Sequence, residues 1–89
     1  MVETEIPAYD RVVDERGSRC PKPIISLARM AAADPAARIL LLADDAAADT
    51  DVPAWCGFRS RTLSWVGAAP DGHGRAYLVV PIDPEPEQS

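Results

Sequence analysis

Two short helical patterns alternating with strand-like runs predict a small α/β domain in which two helices cover one face of a four-stranded sheet. Three observations carry that expectation. Arg38 to Ala43 reads Arg-Ile-Leu-Leu-Leu-Ala, an apolar run of strand length suited to the centre of a sheet. Segments opening on Pro21 and near Pro53, with apolar residues at helical spacing, lie on either side of it. The cluster Pro70-Asp71-Gly72-His73-Gly74 then separates two more strand-like runs, as a hairpin loop does.

In chain order, Tyr9 to Asp14 forms a short strand, and Glu15 to Arg19 a loop bent at Gly17. Helix one starts at Pro21, where a missing amide costs nothing, and carries Ile24, Leu27, Ala28 and Ala31 on one face. Asp34-Pro35 stops it, because a residue before proline is pushed out of the helical region. After the central strand comes an acidic, alanine-rich loop, Asp44 to Asp51, whose Asp49, Thr50 and Asp51 can cap a second helix beginning near Pro53. Val52, Trp55, Cys56 and Leu63 are expected on its apolar face, with Arg59 and Arg61 in solvent. Ser64 to Ala69 and Arg75 to Ile82 form the closing hairpin, and Trp55 and Trp65 are core residues. Residues 1–9 are read as a flexible N-terminal segment, 10–82 as the single domain, and 83–89, Asp-Pro-Glu-Pro-Glu-Gln-Ser, as a disordered tail.

At 89 residues, 47% hydrophobic and 26% charged, the chain has room for one small core, and wholesale disorder is excluded. Ile39 to Ala43 falls far short of the ~18 apolar residues a membrane span requires. The N-terminus places acids where a secretory signal has Lys or Arg, so a cytoplasmic location is expected. A net charge of -5 is the wrong sign for binding nucleic acid through its phosphates. Cys20 and Cys56 show no pairing motif, and with His73 they fall short of a four-ligand zinc site, so neither a disulfide nor a metal is expected. His73 is read as a solvated loop residue.

Cys20 is the residue that carries chemistry. Standing before Pro21 at the start of a helix, it meets unpaired amides and the positive end of the helix dipole, which favour a thiolate. Arg16, Arg19 and Lys22 add positive potential, and Pro21 and Pro23 stiffen the turn. Cys56, on an apolar face, reads as a buried core thiol, with a resolving or second carrier role as the sharper alternative.

Four segments resemble the TusA (SirA-like) family of small sulfur-carrier proteins. They are Val13-Asp14-Glu15-Arg16-Gly17-Ser18-Arg19-Cys20-Pro21-Lys22-Pro23, with its Cys-Pro-x-Pro motif, Leu42-Ala43-Asp44-Asp45-Ala46, Asp51-Val52-Pro53-Ala54-Trp55-Cys56, and the hairpin ending in Tyr77-Leu78-Val79-Val80. The resemblance implies a two-layer α/β sandwich, β-α-β-α-β-β, with a mixed sheet. It also implies that Cys20, framed by Pro21 and Pro23, accepts a sulfane sulfur as a persulfide from a donor such as a cysteine desulfurase. The sulfur then passes to a downstream acceptor protein, toward tRNA thiolation, molybdenum-cofactor synthesis or sulfur oxidation, with no cofactor beyond the covalent sulfur. The rival reading is a redox-regulatory or protein-interaction module of the same fold without transfer activity, and a metal- or selenium-handling accessory protein is a third.

Overall fold

The computed structural model describes residues 6–19 and 22–81. Its elements are β1 (Arg11–Asp14), α1 (Lys22–Ala33), β2 (Ile39–Ala43), α2 (Ala48–Phe58), β3 (Arg61–Ala68) and β4 (Arg75–Pro81). The strands form one mixed sheet in the order β1-β2-β4-β3. β1 and β2 run parallel, joined through α1, while β4 turns back from β3 to pair antiparallel with both β3 and β2. This is the α/β sandwich expected from the sequence, with both helices on one face. The expected helix start at Pro21, strand end at Ile82 and tail 83–89 lie outside the described residues, as do residues 1–5.

All five residues of β2 are buried, because the strand is central and apolar on both sides. Ile39, Leu41 and Ala43 join Val13, Tyr77 and Val79 in packing against Leu27 and Ala31 of α1 and Val52 and Cys56 of α2. Leu40 and Leu42 face the other way, clustered with Ala69, Ala76 and Leu78 under partly buried Ile6, Trp65 and Val80. α1 buries Pro23, Leu27 and Ala31 at four-residue spacing and ends before Asp34-Pro35, as the sequence predicts.

The second half of the chain corrects several expectations. α2 begins at Ala48 rather than near Pro53, because Asp45 starts the turn early. Its carboxylate accepts the Ala47 N–H at 3.0 Å and its carbonyl the Ala48 N–H at 2.9 Å. Asp49 and Asp51 therefore lie in the first helical turn, where the dipole favours them, and Pro53 lies inside the helix. Leu63 and Arg61 belong to β3, not to α2, since the helix ends at Phe58 and Ser60 takes a left-handed φ of 58°. β3 consequently starts three residues earlier than Ser64. A bulge between Leu63 and Trp65, which pair with successive residues Val79 and Leu78, sends these two side chains to opposite faces.

Gly74, at φ +88°, closes the β3–β4 hairpin where a Cβ would come within 2.9 Å of the Ala43 carbonyl. Asp10 accepts the Arg38 N–H at 2.9 Å and its Nε at 3.1 Å, fixing the entries to β1 and β2 beside each other. Hydrogen bonds from Arg38 hold the Asp10 carboxyl down at about 2, and those from Arg16 do the same for Asp14. A lowered folded-state pKa contributes stability above the ordinary value of 3.8 that is lost as pH falls toward about 2. The thermal midpoint should therefore drop across that interval, and drop less steeply in an Asp10→Asn, Asp14→Asn variant, as calorimetry at stepped pH will read.

Candidate functional site

The loop between β1 and α1 is held at three points by side chains from distant parts of the chain. Glu15 extends the strand pairing through its N–H to the Leu42 carbonyl at 2.9 Å. Its carboxylate accepts the Ser18 hydroxyl at 3.2 Å and the Ser26 hydroxyl of α1 at 2.6 Å. Gly17, at φ +91°, turns its N–H onto both oxygens of Asp44, at 2.9 and 3.0 Å, just past the end of β2. The third clamp is Arg16. Its guanidinium pairs with Asp14 at 2.7 Å and with Asp71 of the hairpin loop at 2.8 Å, and also donates to the His73 carbonyl. Those carboxylates raise the Arg16 pKa further, so its charge is permanent and already countered.

Cys20 and Pro21, to which this loop leads, lie outside the described residues. Their chain neighbours Arg19 and Lys22 are exposed, and the Lys22 N–H donates to the Arg19 carbonyl at 2.9 Å. Pro23 is buried under the first turn of α1, a turn that contains no acidic residue. Two hollows meet at Arg19. One, of about 300 Å³, is lined by Gly17, Ser18, Arg19, Asp44, Asp45 and Ala46, and the other, of about 510 Å³, by Glu15, Arg19, Lys22, Ile25, Ser26 and Arg29. Arg19, Lys22 and Arg29 make no ion pair among the described residues, in contrast to Arg16. The surface next to Cys20 in the chain is thus concave: Arg19, Lys22 and Arg29, without an ion pair among the described residues, line it together with Glu15, Asp44 and Asp45, and half-exposed Ile25 adds apolar surface.

Ile25, Ser26 and Arg29 are members of this surface that the sequence analysis did not single out, and Asp44 was named there without a contact to the loop. Lys22, Ile25, Ser26 and Arg29 follow i, i+3, i+4, i+7 spacing, so the outer stripe of α1 was available from the pattern once the inner stripe was assigned. Asp44 gives no such signal, because its contact with Gly17 spans 27 positions.

Cys56 is a free thiol, 3% exposed, within the helix-side core. Burial pushes its pKa up to about 11, against a smaller opposing effect of the Arg61 charge. Only roughly one Cys56 in ten thousand is then a thiolate at pH 7. Iodoacetamide at neutral pH should therefore label Cys20 well before Cys56, and peptide mapping of partially alkylated protein will give the order; first labelling of Cys56 would contradict its burial.

Among the described residues, no group of three or more His, Cys, Asp and Glu side chains could hold a metal ion. Nor is any described helix long and apolar enough to cross a membrane. His73 is exposed in the hairpin loop, its N–H donated to Asp71 at 2.9 Å. A family model described as sulfurtransferase TusA matches residues 11–79, from the first residue of β1 almost to the end of β4. The match spans the clamped loop, Cys20, both helices, three whole strands and most of β4.

Proposed function

Because the chain belongs to the TusA sulfurtransferase family, and so to a family of sulfur carriers, we propose that Cys20 accepts a sulfane sulfur as a persulfide and hands it to a second protein. The observation that carries the choice of cysteine is the burial of Cys56, whose thiol stays protonated and out of reach near neutral pH. Cys20 is the only other sulfur nucleophile in the sequence. Its thiolate attacks the outer sulfur of a donor persulfide; the donor's S–S bond breaks, the donor cysteine leaves as thiolate, and Cys20 carries the new S–S bond. No electrons are gained or lost overall. Transfer onward repeats the exchange with an acceptor thiol as the attacking group, so no cofactor is required.

The positive end of α1 and the Arg19 and Lys22 side chains favour the anionic sulfur at each stage. Pro21 and Pro23 restrict the turn that presents it. A cysteine desulfurase is the fitting donor, since it generates a cysteine persulfide, and a reducing compartment such as the cytoplasm suits an exposed reactive thiol. In this reading Arg16 acts on the site through the loop it clamps rather than as a docking charge.

Incubating the protein with a desulfurase and free cysteine should add about 32 Da, the mass of one sulfur, and a reducing thiol should remove it. No mass gain in the presence of an active donor would leave the interaction-module reading in possession. The exposed cations supply a further expectation. Reversing Arg19 and Lys22 to Glu should slow association with the donor about tenfold or more at low salt, and flatten its salt dependence, while the fold is unchanged. Stopped-flow binding across a salt series reads both, and wild-type rates throughout would move docking away from this stripe.

A further inference from the structure

A second concave site lies at the opposite end of α1 from Cys20, where the ends of both helices meet the start of β3. A cavity of about 190 Å³ is lined by Ala28, Ala31 and Ala32 of α1, Trp55 of α2, and Arg59 and Arg61. Two arginines thus line one small space, and no carboxylate of the described residues lines it. Among the described residues neither arginine makes an ion pair, whereas Arg11, Arg16, Arg38 and Arg75 each do.

Arg61 is held in place from within. Its Nη2 donates to the Pro35 carbonyl at 3.2 Å and lies 3.5 Å from the Ala31 carbonyl, which covers the negative end of α1 that would otherwise repel an anion. Its Nη1 is shielded from solvent and has no hydrogen-bond partner among the described residues, an arrangement that costs free energy for a charged donor. Arg59, in contrast, is exposed at the C-terminal cap of α2 and free to swing over the cavity. The alanines leave room, and the Trp55 ring supplies a flat wall.

From these features we infer that the cavity is a binding site for a small divalent tetrahedral oxyanion of the sulfate or phosphate class. Two positive charges without a counter-charge among the described residues are balanced by a dianion and only half balanced by a carboxylate. The ion sits at the mouth between the two guanidinium groups. Arg59 closes over it, and the ion offers an acceptor to Nη1 of Arg61, which has none among the described residues. The site is separate from Cys20 and independent of the sulfur-carrier reading, so a Cys20→Ser variant should bind the ion as the wild type does.

The test is a nuclear magnetic resonance titration of the full chain with sodium sulfate, ionic strength being held constant with chloride. The Trp55 indole N–H and the Arg59 and Arg61 Nε–H signals should shift saturably at millimolar sulfate, and acetate should bind about tenfold more weakly or worse. Arg59→Gln, a change at an exposed side chain that should spare the fold, should abolish saturation. Three results would overturn the proposal: shifts that chloride alone reproduces, saturable shifts that persist in Arg59→Gln, or acetate binding as tightly as sulfate.

Discussion

Cys20→Ser should abolish sulfur acceptance altogether, with no loss of the folded state, whereas Cys56→Ser should keep it and lose stability instead. The two cysteines differ in environment, and that difference sets the outcome. A serine hydroxyl does not attack a persulfide sulfur at neutral pH, so the first substitution removes the attacking atom itself. Among the described residues the helix-side core cluster is built from Leu27, Ile39, Leu41, Val52, Tyr77 and their neighbours. Cys56 belongs to that cluster at 3% exposure, and a hydroxyl buried there without a partner costs roughly 1–3 kcal/mol. Intact-mass assays of sulfur uptake, run beside urea unfolding of each variant, separate the two effects. Equal loss of uptake in a folded Cys56→Ser protein would put the second cysteine into the relay.

Leu27→Ala is expected to have the largest effect on stability, and its effect should extend to function. Leu27 is 0% exposed, at the middle of the buried stripe of α1 between Pro23 and Ala31. Truncating a leucine in such a position costs about 2–5 kcal/mol, a large part of the 5–15 kcal/mol that holds a typical domain together. α1 also carries Ser26, which with Ser18 of the preceding loop hydrogen-bonds Glu15, and Lys22, which follows Cys20 and Pro21 in the chain. Loosening the helix therefore loosens the attachment of the loop leading to Cys20. Sulfur uptake by Leu27→Ala should fall with rising temperature well before that of the wild type, in step with its lower unfolding midpoint.

The parts of this molecule legible in the sequence are those that local chemistry decides. β2 announces itself because a strand apolar on both sides has no polar alternation to disguise it, and the end of α1 is written in Asp34-Pro35. The Cys-Pro-x-Pro segment runs into α1, whose described part opens at Lys22 with Pro23 buried in its first turn. Where long-range contacts decide, local signals misled. Arg61 and Leu63 fit a helical face on spacing alone, yet the left-handed Ser60 ends the helix and pairing with Pro81 and Val79 draws them into the sheet. The grouping of Arg16 with Arg19 and Lys22 followed sequence proximity, but its carboxylate partner Asp71 is 55 positions away and becomes a neighbour only when the hairpin folds beside the loop. The cavity at Arg59 and Arg61 was hidden for the same reason: it exists only where three elements converge.

Peptide-resolved mass spectrometry of the wild-type protein, after a single exposure to a persulfide donor and alkylation to trap the product, reads which cysteine accepts the sulfur. The extra sulfur, about 32 Da, should lie on the peptide that contains Cys20, with none on the peptide that contains Cys56. Sulfur found on Cys56, or shared equally between the two cysteines, would contradict the assignment to Cys20.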